Sequence, residues 1–220
     1  SLYMSEPYQF TVDAAIMSEY TNTSFALWFK VEKFEHASLG TLLMTKVNRN
    51  HDTNGSSWTD NVWGEMWTAI RPAGYAKNNN IKRDNAENEL SLSTDGPRAG
   101  TPNYEHNNDV DILSDGYSLM PGVWYHVCAV KAGKELQLYL NGKLIASGTS
   151  RGRGPYNWKN GAKFYVGGSM TNLASLTGWV DEVQIWSKAL SEAEVKEAMK
   201  GYKTAPANLE GYFTFEEQKT

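Results

Sequence analysis

The chain has 220 residues, a formal net charge of -4 and no run of basic residues, so nucleic acid is not an expected partner. Its apolar runs are all strand-length, which excludes a bilayer-spanning helix, and its length suits one domain, residues 1–220, able to bury a core without covalent staples. Cys128 is the only cysteine, so no intrachain disulfide can form; within a hydrophobic strand it reads as a small buried residue and not as a nucleophile.

Strand signals run the length of the chain. Residues 24–31 alternate, with Phe25, Leu27, Phe29 and Val31 on one face and Ser24, Ala26, Trp28 and Lys30 on the other. Residues 41–47 and 65–71 give two further strands, and 89–93 a fourth with Leu90 and Leu92 on one face. Residues 124–131 are apolar on both faces, which predicts a central strand. Residues 135–140 alternate again, with Leu136, Leu138 and Leu140 inward. Asn141 and Gly142 both tolerate positive φ, so they predict a type I′ hairpin that folds 143–147 back on 135–140. Phe164 and Val166, then Val183 and Ile185, continue the pattern. Residues 209–215 close it, with Leu209, Phe213 and Phe215 inward. One helix is expected over 191–200: Ser191 and Glu194 form a capping box, Val195, Ala198 and Met199 make the apolar stripe, and Gly201 suits the C′ position.

Many short strands with glycine turns and a single helix predict two packed antiparallel sheets. Between the strands lie four long polar segments, 48–64, 72–88, 96–121 and 148–161. Loops of this length in a compact domain are often functional. They hold aromatics that the strand cores do not require: Trp58, Trp63, Tyr75, Tyr104, Tyr156 and Trp158, with Arg71 at the edge of one strand. Flat rings packed under sugar C–H groups, with polar side chains reaching the hydroxyls, are how a glycan is recognised. The same aromatics also suit small cores inside the loops themselves. Trp58 and Trp158 are the stronger ligand candidates, because their neighbours are wholly polar. Trp67 reads as packing within its strand, and Trp124 and Trp179 as structural. Trp28, Tyr139, Tyr165 and Trp186 lie opposite the core parity of their strands, where they line an open sheet face or are covered by loops.

The run W-Y-H-V at 124–127, L-Y-L-N-G at 138–142, Y-V-G-G at 165–168, G-W-V-D-E-V-Q-I-W at 178–186 and A-L-S-E-A-E-V at 189–195 together resemble the laminin-G-like group of the concanavalin A-like lectin/glucanase superfamily. F-A-L-W-F-K at 25–30 resembles an early core strand of the same group. The resemblance covers about two-thirds of the chain and implies an all-β, two-sheet antiparallel jelly roll with one short C-terminal capping helix. It also implies a module of an extracellular or bacterial cell-surface protein that binds a glycan, excised from a longer chain and contacting its other domains. The abrupt end at 218–220 fits such an excision. Fold does not dictate function here, and a structural or adhesive protein-contact module and a glycoside hydrolase are the alternatives.

Many relatives hold one structural calcium ion near the end of the closing strand, and the matching residue is Asp181. Its parity sets it with the inward Val183 and Ile185. There it either ligates calcium together with backbone carbonyls or accepts from backbone amides at a sheet edge. Asp109, Asp111 and Asp115 have half the spacing of a calcium loop but lack its glycine and its closing Glu, so they read as a solvated acidic turn. The four histidines are scattered and no zinc pattern appears. The paired-carboxylate strand of jelly-roll glucanases is missing. Asp181 and Glu182 are adjacent, so strand alternation would point them to opposite faces.

Overall fold

A computed structural model describes residues 1–5, 10–13, 19–34, 40–47, 65–71, 88–95, 111–114, 117–149, 156–157, 162–168 and 176–216. For residues 13, 19–20, 40–47, 65, 67, 71, 93–95, 111, 113, 156–157 and 162 it describes the backbone alone.

Two sheets make the sandwich. The first has seven strands in the order β1 (Leu2–Met4), β14 (Gly178–Trp186), β4 (Asn22–Val31), β9 (Trp124–Ala132), β10 (Glu135–Leu140) and β11 (Lys143–Thr149), with β15 (Leu209–Phe213) also on β14. The second has six, in the order β2 (Phe10–Asp13), β13 (Ala162–Val166), β5 (Gly40–Val47), β6 (Glu65–Arg71), β7 (Glu89–Asp95) and β8 (Asp111–Leu113). A short pair, β3 (Glu19–Tyr20) with β12 (Tyr156–Asn157), stands apart. The pairings are antiparallel throughout. This is a two-sheet antiparallel jelly-roll sandwich with one helix among the described residues, α1 (Glu192–Ala198).

The strand alternation seen in the sequence builds the core. Phe25, Leu27, Phe29 and Val31 of β4 meet Val127 and Ala129 of β9 and Leu136 and Leu138 of β10 between the sheets, against Met66, Leu90, Leu92, Phe164 and Val166 of the second sheet. Phe25 and Phe164 join the two layers edge to face, ring centroids 5.5 Å apart. Both are fully buried, and burial of a side chain of that size contributes roughly 1.5–3 kcal/mol. The central position expected for 124–131 is found, since β9 lies between β4 and β10. The hairpin at 141–142 is also found, with φ of 49° at Asn141 and 76° at Gly142.

A second, smaller core lies on the outer face of the seven-stranded sheet. Ala26, Cys128, Val130, Tyr139 and Trp186 point away from the sandwich and are covered by Leu190, Val195 and Ala198 of α1 and its approach. The capping box forms as expected: the Ser191 hydroxyl accepts from Glu194 N and the Glu194 carboxylate accepts from Ser191 N. Gly201, with φ 71°, ends the helix two residues beyond the C-cap Met199. Burial pushes the Cys128 thiol far above its ordinary pKa, in keeping with an inert core residue.

Three expectations change. Leu209 packs into the helix-covered core, because a bulge between Ile185 and Trp186 shifts its pairing, while Phe213 and Phe215 pack on the main core. Tyr139 and Trp186 do not line an open face, since α1 buries both. The third and fourth polar segments are not without strands: β8 lies in one and β12 in the other.

Candidate functional site

The outer face of the seven-stranded sheet divides into two regions. Toward α1 it is closed by the second core and by polar clasps. Ser24 Oγ donates to Lys188 O at 2.8 Å and accepts from Leu190 N at 2.9 Å. Gln184 Nε2 donates to Ala198 O at 2.9 Å, and its Oε1 accepts from Trp186 Nε1 at 3.2 Å. Trp28 Nε1 donates to Met199 O at 3.2 Å, which sets this indole at the helix C-terminus. Beside it His126 is fully buried, edge-on to Trp28 with centroids 5.3 Å apart, and neither ring nitrogen has a hydrogen-bond partner among the described residues. Burial lowers its pKa to about 4, so the ring is neutral near pH 7.

Beyond His126 the same face opens. Strand register sets Tyr3, Trp179, Lys30 and Trp124 side by side on β1, β14, β4 and β9. The Lys30 ammonium lies 4.1 Å from the Trp179 ring centroid and 5.2 Å from that of Trp124. Tyr3 meets Trp179 edge to face at 4.9 Å and donates its hydroxyl to Glu32 Oε2 at 2.6 Å. That hydrogen bond to a carboxylate, then burial, raises the Tyr3 pKa. Trp124 and Trp179, read as structural from the sequence, are half-buried on this outer face and frame a cation.

Asp181 and Glu182 sit at a β-bulge where the edge partner of β14 changes from β1 to β15. Glu182 takes φ 50°. The extra residue flips the parity of the strand, so Val180, Val183 and Ile185 face the core. Asp181 pairs in register with the outward Trp28, and is not grouped with Val183 and Ile185 as simple alternation predicts. Its Oδ1 accepts from Glu182 N at 2.9 Å, and its Oδ2 lies 3.4 Å from the Ser1 amino group. The Glu182 carboxylate accepts from the Tyr212 hydroxyl, and Tyr202 N donates to that hydroxyl at 3.0 Å. Burial first, then this carboxylate, raises the Tyr212 pKa to about 12. For calcium the donor chemistry at Asp181 is right, oxygen only, but the number is low: no group of three His, Cys, Asp or Glu residues is suited to a metal among the described residues.

Of the sequence-derived ligand residues, Arg71 ends β6 opposite Glu89 of β7, whose side chain is buried. Tyr156 pairs with Tyr20 in the short sheet. Trp58, Trp63, Tyr75, Tyr104 and Trp158 lie outside the described residues, as do Asp109 and Asp115, while Asp111 begins β8. Tyr165 is buried on β13.

Two antiparallel sheets with a helix packed on the outside of one, and long segments leaving the strand ends, define a lectin-type jelly roll. The family model described as the concanavalin A-like lectin/glucanases superfamily matches residues 45–196, and the chain belongs to that superfamily. Comparison with curated protein sequences gives no match. Among solved structures, a candidate carbohydrate-binding protein from Bacteroides ovatus ATCC 8483 is 19% identical with a TM-score of 0.64, covering 99% of this chain. The chain spans only 52% of that protein's length. Domain 4 of an extracellular arabinanase from Geobacillus stearothermophilus, solved with arabinotriose, is 18% identical with a TM-score of 0.53, covering 86% of this chain and 71% of its own. The CBM40 domain of a Ruminococcus gnavus sialidase, bound to α2,3-sialyllactose, is 15% identical with a TM-score of 0.53, covering 89% and 96%. At these identities the likeness is one of fold.

Proposed function

We propose that the chain is a non-catalytic carbohydrate-binding module of a secreted or cell-surface protein. The observation that carries this reading is the sandwich frame itself: domains of the same fold were solved holding arabinotriose and sialyllactose. The ligand contacts assigned to this chain are the loop aromatics Trp58, Trp63, Tyr75, Tyr104, Tyr156 and Trp158, with Arg71 at the end of β6. Stacking on such rings gives affinity without chemistry, and polar loop neighbours such as Asn54, Asn103 and Asn157 read the hydroxyls.

A binding role also accords with the acids nearest one another on β14. Asp181 is held by a backbone amide and Glu182 by Tyr212, so neither is presented to a substrate as an acid–nucleophile pair. Calcium belongs to the same proposal as a structural ion: Asp181 would supply one carboxylate oxygen, with carbonyl oxygens completing the shell. A glycan array of the purified chain, run with calcium and again with chelator, tests the reading. Binding to a defined set of glycans is expected. A blank array from folded protein would instead favour protein contact, and release of reducing sugar from any polysaccharide would favour hydrolysis.

A further inference from the structure

The row on the open half of the seven-stranded sheet has a property that packing does not require. Tyr3, Trp179, Lys30 and Trp124 occupy four adjacent strands at one level, a span of about 14 Å at the usual strand spacing. Lys30 is half-buried, yet among the described residues its ammonium makes no ion pair and no hydrogen bond; its only recorded partners are the faces of two indoles. Aromatic faces attract a cation but accept none of its three N–H donors in the way an oxygen does. Glu32, two residues along from Lys30, is exposed and already accepts from Tyr3, while Asp181, on the same outer face two residues along from Trp179, accepts from Glu182 N and lies 3.4 Å from the Ser1 amino group. The result is a positive charge with donors to spare between two aromatic walls, bordered by the exposed Tyr3 ring, 46% accessible.

We infer that this row is a second glycan subsite, on the opposite side of the sheet from the main core, that takes a sugar bearing a carboxylate. The carboxylate meets Lys30 in a charge-assisted hydrogen bond, and the apolar faces of the sugar lie against Trp124, Trp179 and Tyr3. A neutral sugar leaves the ammonium's donors unmet and binds less well. The general class of ligand rests on the glycan-binding reading, but the site does not: it uses none of the loop aromatics, so either can fail alone.

The test uses the whole chain with two probes of equal length, trigalacturonate and galactotriose, followed by heteronuclear NMR of the indole N–H signals and by titration calorimetry. Trigalacturonate is expected to shift the Trp124 and Trp179 signals, to bind at least tenfold more tightly than galactotriose, and to weaken as salt rises. Lys30→Met, which keeps the aliphatic stem, should remove that preference about tenfold while leaving the indole signals dispersed. Lys30→Arg should retain it. Trp58→Ala and Trp158→Ala should leave it unchanged. Three results overturn the proposal: acidic preference that survives in Lys30→Met, acidic binding that Trp58→Ala or Trp158→Ala abolishes, or no shift of either indole with folded protein, the outcome expected if this face meets a neighbouring domain.

Discussion

Gln184→Met isolates the clasp that holds α1 on the sheet. Gln184 is fully buried, and its amide makes two hydrogen bonds, one to Ala198 O and one from Trp186 Nε1. Ala198 O belongs to the last turn and also accepts from Gly201 N at a longer 3.3 Å. Methionine fills a similar volume but leaves the Trp186 Nε1 donor buried and unpaired, and Ala198 O with only the long bond from Gly201 N. An orphaned buried group costs about 1–3 kcal/mol, so the expected loss is about 2 kcal/mol in total. For a domain of this size that corresponds to a fall in Tm of roughly 4–8 °C. Urea denaturation followed by tryptophan fluorescence measures it, with the m-value as a check that the unfolding remains two-state. Gln184→Glu should also destabilise, because it removes the donor and sets an acid against a helix C-terminal carbonyl. A loss below about 1 kcal/mol for Gln184→Met would refute the reasoning, since it would mean that the two partners find water or relax away.

Stability should fall as the pH drops from 6.5 toward 4. The unfolded His126 takes a proton in that window while the buried ring, with its pKa near 4, does not, so acid favours the unfolded chain. The expected loss is about 2 kcal/mol between pH 7.5 and pH 5, and His126→Phe should flatten the curve there; an unchanged pH profile in that variant would contradict the assignment. Gly178→Ala should destabilise by about 3 kcal/mol or more, because a Cβ at this position would stand 2.1 Å from Lys30 O and part β14 from β4 beside the aromatic row. Equal urea midpoints for Gly178→Ala and the parent chain would show that the strands separate without cost.

The parts of the fold legible in the sequence were those with local signals. Period-two alternation located β4, β7 and β10, a run apolar on both faces located the central β9, the Asn141–Gly142 pair fixed a hairpin, and Ser191 with Glu194 fixed the helix start. Short edge strands left no such trace: β1 has three residues, and β3 and β12 have two each, too few for a period to show. The bulge at Asp181–Glu182 was illegible for a different reason. Neither residue is a glycine, so nothing announced the positive φ at Glu182, and simple counting put Asp181 on the wrong face. The aromatic row depends on register between strands far apart in the chain. The outward parity of Lys30 with Trp28 was readable, but its placement between Trp124 and Trp179 was not. The loop aromatics, by contrast, were proposed from composition, and residues 48–64 and 72–87 lie outside the described structure.

The central claim is that a glycan binds through the loop aromatics of this sandwich. Its most direct measurement is titration calorimetry of the strongest glycan-array ligand against the parent chain, Trp58→Ala and Trp158→Ala, each with calcium and with chelator. The account predicts measurable binding by the parent chain and at least a tenfold loss in one of the two variants, with circular dichroism unchanged. Weaker binding in chelator, together with a lower Tm, would support an ion at Asp181. Undiminished affinity in both variants would contradict the claim and move the site elsewhere on the domain.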